Sequence, residues 1–362
     1  MNALYIGIMS GTSLDGIDTV LAEWDGTPRP LACLHLPFDK GLRASLLELN
    51  TPGGNELERA SVAANQLSLA YAASVRRLLQ TARRDLHDIR AIGCHGQTVR
   101  HRPDLGFTVQ LVNPALLAEL SGITVISDFR SRDIAAGGQG APLVPAFHAA
   151  VFAHPDIHRV IVNIGGISNL TDLPVKGKVT GFDCGPGNVL LDFWTDLHLE
   201  QPYDRDGAWA DSGSPIPELL DRLLADNYFS APPPKSTGRD LFNPAWLQPF
   251  LPPATPPADI QATLLELTAR SIADAILSHC PGAQEIYLCG GGAHNRTLFR
   301  RLKRLLPDTT LDMTDALGIS PDWVEALAFA WLARQTLEGK PGNLPEVTGA
   351  SGARILGTIS PV

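Results

Sequence analysis

The sequence predicts an α/β protein of two domains, with parallel segments in its sheets. Three observations carry this reading. Short apolar strands alternate with segments of helical period along the chain. A strand, a glycine turn and a second strand open the chain and recur about 155 residues further on, a weak internal duplication. The chain has 362 residues, too many for one ordinary domain at roughly 150 residues each. Two α/β halves facing each other across a cleft would be the economical arrangement.

Each element follows in order. Leu4 to Met9 is an apolar strand, Ser10 to Gly16 turns, and Ile17 to Trp24 resumes in extended-type residues. Leu31 to Phe38 is a third strand. Leu57, Ala60, Ala64, Leu67, Tyr71, Val75 and Leu78 recur at three- and four-residue steps, which predicts a long amphipathic helix. Ile89 to Cys94 and Ile123 to Ile126 are short buried strands, the first ending at His95-Gly96-Gln97-Thr98 and the second at Ser127-Asp128-Phe129-Arg130; His101 and Arg102 are placed beyond the strand, on the surface. The pattern then restarts: strand Val160 to Ile164, turn Gly165 to Ser168, strand Asn169 to Leu173, strand Val179 to Asp183. Gly185-Pro186-Gly187 should break that strand, and Asn188 can cap a helix running to Leu199. The proline-dense stretch 230–257 reads as a surface excursion around the polar, cationic segment Lys235 to Asp240. Ala262 to His279 is a helix, Glu285 to Cys289 a strand entering Gly290-Gly291-Gly292, and Val324 to Leu337 a mostly apolar helix whose one acid is Glu325.

Composition narrows the function. Hydrophobic residues make up 44% of the chain and charged residues 19%, enough apolar surface for a large core and too little charge for a disordered chain. Lys and Arg number 29 against 38 Asp and Glu, a net charge of −9 that argues against a dedicated nucleic-acid binder. It leaves room for a polyanion such as ATP, because backbone N–H groups and Mg²⁺ hold phosphate without Lys or Arg. No segment has the ~18 consecutive apolar residues of a membrane span. The N-terminus shows no basic signal region. Cys33, Cys94, Cys184, Cys280 and Cys289 form no CxxC pair, so neither a zinc site nor a disulfide framework is expected, and a reducing cytoplasm is the expected compartment.

Three glycine-rich turns follow apolar strands, at 11–16, 165–168 and 290–292. Glycine lets backbone N–H groups approach a ligand closely, which suits phosphate oxygens; any one turn alone reads first as a tight turn, and three of them, two flanked by Ser or Thr, shift the balance toward a ligand. The P-loop and GxGxxG signatures are absent, so a bound nucleotide would need several loops. Asp15 and Asp18 flank Gly16 and are either Mg²⁺ partners or solvated turn acids, with Asp18 on the face of Gly16 and Asp15 on the other. Asp183 ends a strand before a glycine break, where α/β sheets open onto ligands. At an ordinary pKa near ~3.9 it would be ionised and able to accept a proton; the alternative is a carboxylate bonding turn N–H groups. Glu325 in its apolar helix needs a partner or a cleft, or else lies on the helix surface. The strand ends carrying Gln97, Thr98, Asp128 and Arg130 offer groups suited to an acidic sugar, with structural ion pairing as the alternative for Arg130.

The segments Met9 to Asp18, Cys94 to Thr98, Asn163 to Asn169, Phe182 to Asn188, Pro234 to Arg239 and Gly290 to Asn295, taken together and in this order, resemble the anhydro-N-acetylmuramic acid kinase family. The match runs from residue 5 to about residue 335. Cys184 departs from the family, whose members often carry Thr there, and the proline stretches around Lys235 look longer than the motif needs. The resemblance implies the duplicated actin/hexokinase-like (ribonuclease H-like) fold with nucleotide in an interdomain cleft, the first domain comprising 1–130 plus 338–362 and the second 131–337. It implies a bacterial, cytoplasmic, homodimeric enzyme of cell-wall recycling that uses ATP and Mg²⁺ to convert 1,6-anhydro-N-acetylmuramic acid to N-acetylmuramic acid 6-phosphate. Carried onto this sequence, Asp183 is the base for an attacking water. Gly11, Thr12, Ser13, Leu14, Asp15, Gly16, Ile17 and Asp18 meet the phosphates with Gly165 and Gly166. Asp18 helps order Mg²⁺, and Gly290, Gly291 and Gly292 pass under the adenosine. Gln97, Thr98, Asp128, Arg130 and Glu325 hold the sugar. Domain closure over the ligands is expected, because an open cleft would let water intercept the phosphoryl group. Read without the resemblance, the same residues also admit a kinase for an ordinary hexose, a slow nucleotide switch, or a glycoside hydrolase using Asp183 and Glu325.

Overall fold

A computed structural model describes residues 3–11, 13–239 and 241–362. The first run of strands holds β1 (Ala3–Met9), β2 (Gly16–Asp25), β3 (Thr27–Pro37), β4 (Ile89–Cys94), β5 (Gln97–Arg102), β6 (Phe107–Leu111) and β7 (Val125–Ser127). The second run holds β8 (Arg159–Ile164), β9 (Ile167–Leu173), β10 (Thr180–Pro186), β11 (Glu285–Cys289) and β12 (Thr310–Met313), and β13 (Thr358–Ser360) closes the chain. The chain divides into two compact units, Met1–Val151 with Trp323–Val362, and Phe152–Asp322.

The first unit is built on a sheet of order β13-β7-β4-β1-β2-β3. β1, β2 and β3 run antiparallel, whereas β4 and β7 lie parallel to β1. The second unit repeats this plan in the order β10-β9-β8-β11-β12, with an antiparallel meander β8-β9-β10 and parallel β11 and β12. The single recurrence seen in the sequence is therefore a repeat of topology. Two such sheets are the doubled plan expected of the actin/hexokinase-like fold.

The core of the first unit gathers Ile6, Ile8 and Leu21 of the sheet with Leu67, Tyr71 and Leu78 of the Glu56–Ala82 helix, the apolar stripe read from the sequence. On the other face lies the Val324–Leu337 helix, buried almost all round. It approaches so closely that a Cβ on Gly7 would lie 1.8 Å from Ala326 O, and one on Gly93 2.0 Å from Phe329 O. These contacts place 323–337 in the first unit, and helix Val144–Phe152 lies across the other seam. The division thus differs from the expected boundaries at 130 and 337, because helix packing rather than chain order decides membership.

Three local expectations are corrected. Strand β10 continues through Gly185 to Pro186, with a register shift between Asp183 and Gly185 instead of a break. The proline-dense stretch is no simple surface excursion: Phe242 and Leu247 are fully buried in the second core. His101 and Arg102 are part of β5, though exposed as expected.

Candidate active site

In the first unit the carboxyl ends of the parallel strands β1, β4 and β7 deliver the predicted residues to one end of the sheet, where α/β proteins bind ligands. The His95 N–H donates to Ile8 O at 3.0 Å, so the chain leaving β4 is pinned to β1. Gln97 is buried and donates from Nε2 to Gly11 O at 3.2 Å, leaving Oε1 without a partner among the described residues. Arg130 donates from Nε and Nη2 to His95 Nε2 at 3.1 and 2.9 Å, and from Nη1 to Gly140 O at 2.8 Å. A guanidinium has no acceptor, so His95 Nε2 must be the unprotonated nitrogen and the ring neutral. Burial and the Arg130 charge hold the His95 pKa well below its ordinary value, in agreement. Burial pushes Arg130 down to about 10, opposed by the charges of Glu325 and Asp133. Glu325, half-buried in the first turn of its helix, thus has the electrostatic partner that its apolar surroundings require.

The remaining residues of this half sort by environment. Thr98 stands on β5 and accepts from Gln110 Nε2 at 3.2 Å. Asp128 is exposed at a left-handed φ of 55° and accepts from Ser131 N and Oγ, the bonding of a turn acid. Ser13 Oγ donates to the exposed Asp15 at 2.8 Å, and Asp18 Oδ1 lies 2.8 Å from His35 Nδ1. Leu14 and Ile17 bury their side chains, which leaves only their backbone groups available to a ligand. Thr12 lies outside the described residues. Among the described residues no three His, Cys, Asp or Glu converge as a metal cage. A Mg²⁺ ion here would take one or two carboxylates, Asp15 or Asp18, and complete its shell from phosphate and water, the usual manner of that ion.

In the second unit the glycine turns pack together. Gly165 O accepts from Asn188 N at 2.8 Å, and Gly166 O from Gly187 N at 2.9 Å and Val189 N at 3.0 Å, so the turn is locked to the start of the Val189–Leu199 helix. Asn188 stands at that helix's start but makes no side-chain cap; its Nδ2 lies 3.5 Å from Ile164 O, correcting the expected cap. The glycines divide by what a Cβ would meet. At Gly290 it would lie 2.3 Å from Asn163 Oδ1, at Gly292 2.3 Å from Ile164 Cγ2 and at Gly16 2.6 Å from Leu36 O. These three are demanded by the fold. Among the described residues, the nearest neighbour at Gly11, Gly165 and Gly166 stays at 3.5 Å or more, and Gly291 has nothing within 4 Å. None of these four has a positive φ, so neither packing nor backbone conformation requires glycine there. A ligand approaching the bare backbone would.

Asp183 sits on β10 opposite Asn169, two residues from the start of β9. Its N–H donates to Lys235 O at 3.1 Å, its Oδ2 accepts from Thr237 N at 2.9 Å, and its carbonyl accepts from Tyr228 Oη at 2.7 Å. No protein group donates to Oδ1 among the described residues. Burial raises the carboxyl pKa from the usual range to about 7, opposed by the Thr237 N–H. This corrects the ordinary value expected from sequence: near neutral pH the group lies between its protonated and ionised forms. Cys184 is buried and burial raises its thiol pKa, so it stays protonated. The 235–237 segment reads in the sequence as polar and cationic, but its contact with Asp183 is a long-range pairing that spacing alone does not reveal.

Comparison with known proteins decides the family. The family model for anhydro-N-acetylmuramic acid kinase matches residues 3–362. The chain belongs to this family. An anhydro-N-acetylmuramic acid kinase of Nitrosomonas europaea is 59% identical over 360 residues, 99% of each chain. One of Chromobacterium violaceum is 54% identical over 366 residues, 100% of each. Among solved structures, the activator of the 2-hydroxyisocaproyl-CoA dehydratase from Clostridium difficile with bound ADPNP is similar at TM-score 0.47 and 13% identity over 94% of this chain and 96% of that one. A ROK family glucokinase from Streptomyces griseus in complex with glucose and AMPPNP is similar at TM-score 0.43 and 13% identity over 92% and 100%. As a member of the anhydro-N-acetylmuramic acid kinase family the chain is an enzyme, a kinase. No helix among the described residues is long and apolar enough to cross a membrane.

Proposed function

We propose that this chain opens 1,6-anhydro-N-acetylmuramic acid hydrolytically and phosphorylates O6 with ATP, giving N-acetylmuramic acid 6-phosphate and ADP. The observation that supports the mechanism is Asp183: one carboxylate oxygen tethered by the Thr237 N–H, the other without a donor among the described residues, and a pKa near neutrality. A water oxygen bonds to the anomeric carbon while the C1–O6 bond breaks. The freed electron pair on O6 bonds to the γ-phosphorus, and ADP leaves with the pair of the broken P–O bond. One water proton passes to Asp183 and later to solvent; the other stays on the new anomeric hydroxyl. This is the base half of an inverting glycosidase, with phosphoryl transfer in place of the general acid.

Gly11, Thr12, Ser13, Leu14, Asp15, Gly16, Ile17 and Asp18 contact the phosphates through backbone groups, with Gly165 and Gly166. The room for a Cβ at Gly11, Gly165, Gly166 and Gly291 supports ligand approach at those four. Gly290, Gly291 and Gly292 run beside the adenosine. Asp18, with Asp15 as the alternative, orders Mg²⁺, which when bound neutralises charge on the β- and γ-phosphates. Gln97, Thr98, Asp128, Arg130 and Glu325 hold the sugar, Arg130 meeting its carboxylate. The enzyme works in the cytoplasm as a homodimer in this reading. ADP release against a panel of anhydro sugar, open sugar and water alone tests it. Release that needs the anhydro sugar is expected; equal release with water alone would overturn the reading.

A further inference from the structure

We propose that Lys235 is the positioning residue for Asp183, acting through the short segment 235–237 and touching neither nucleotide nor sugar. This rests on the reading of Asp183 as the base. Lys235 Nζ donates to Tyr228 O at 3.0 Å and Phe229 O at 3.2 Å, and lies over the Tyr228 ring at 4.8 Å from its centroid. Two of its three donors are thus spent on the carbonyls that end the Asn227–Ser230 helical turn. The turn itself is fixed: Tyr228 N donates to Asp226 Oδ1, Trp246 Nε1 to Asp226 Oδ2, and the rings of Tyr228 and Phe229 pack on the fully buried Phe242.

From that anchor the segment grips Asp183 in two ways and the turn in a third. Lys235 O takes the Asp183 N–H, the Thr237 N–H reaches Asp183 Oδ2, and Tyr228 Oη holds the Asp183 carbonyl. The ammonium, the turn, the segment and the catalytic strand form one closed circuit. A lysine among phosphate-binding loops invites the simpler view that it meets the nucleotide. Its bonds point inward instead. Removing the ammonium should free the segment, loosen the Thr237 N–H from the carboxylate, and so make Asp183 both misaligned and harder to ionise. The titratable groups around Asp183 are Cys184, Tyr228 and Lys235, with His279 across the Phe182 ring. Cys184 and Tyr228 are held protonated by burial, and His279 titrates below its ordinary value, so the limb near neutrality belongs to Asp183.

The test compares full-length wild type, Lys235→Met and Lys235→Arg in sugar-dependent ADP release, with KM for both substrates, the pH profile of kcat/KM and the thermal midpoint. Lys235→Met keeps the stem and should lower kcat ~10–100-fold, as loss of a supporting partner does, with both KM values within about threefold and the acid limb moved to higher pH. Lys235→Arg, which keeps a charged donor, should recover at least about tenfold of that loss, in line with the same range. A raised KM for ATP at unchanged kcat would overturn the proposal in favour of a phosphate contact. An unchanged kcat, or a loss with the acid limb unmoved in both variants, would overturn it as well. If wild type itself released no ADP in response to the anhydro sugar, the functional reading would fail, and this inference with it; wild-type activity with an indifferent Lys235 defeats the inference alone.

Discussion

Asp183 carries a carboxylate whose surroundings favour the neutral form, yet one backbone N–H stands ready for the anion. The consequence for pH has a definite sign. Below about 7 the group is protonated and cannot accept a proton, so kcat/KM should fall tenfold per pH unit on the acid side and level off above. A flat profile between pH 5 and 8 would contradict this. Stability runs the other way. The folded pKa is raised above the unfolded one, so the stabilising contribution is full below the unfolded value and is lost as pH rises to about 7. Asp183→Asn should therefore lower turnover by roughly 10²–10⁴-fold, the usual worth of a general base, while its thermal midpoint at pH 8 equals or exceeds that of wild type. The amide oxygen can still accept the Thr237 N–H. A midpoint well below wild type would mean that the carboxylate serves the fold.

The glycine turns make the corresponding argument for elements. Gly166→Ala and Gly291→Ala place a methyl where the protein leaves room, so the thermal midpoint should hold while KM for ATP rises by about tenfold, the equivalent of one lost or blocked contact. Gly187→Ala, whose Cβ would lie 2.3 Å from Gly165 O, and Gly292→Ala should instead destabilise by about 1–3 kcal/mol, the usual cost of overpacking. Equal melting losses in both pairs would remove the distinction. The glycines were visible in the sequence as turns, but which ones the fold needs was not, because that depends on neighbours such as Asn163 and Ile164 that only the packed turns bring together. Element types were legible where period and length agreed: the helix at Val324–Leu337 and the strands at Ile89–Cys94 and Glu285–Cys289 fall as the sequence predicts. The β5–β6 hairpin was not legible, since Arg100, His101 and Arg102 offer no apolar alternation.

For the whole molecule, the doubled topology was read from a single recurrence, but the membership of the seams was not. A mostly apolar helix announces burial without saying against what, and Gly7 and Gly93 acquire meaning only once that helix lies on them. The first unit is consequently discontinuous, and residues 323–362 complete its core and its sheet. A chain ending at residue 322 should lose the first unit's cooperative transition in calorimetry and keep that of Phe152–Asp322; two intact transitions would refute the dependence. The central claim, that water opens the bridge as O6 takes the phosphoryl group, is tested most directly by running the reaction in ¹⁸O-water and reading the product by mass spectrometry at once. The account predicts one ¹⁸O at the anomeric carbon and none in the phosphate. Label in the phosphate, or an unlabelled sugar, would contradict it.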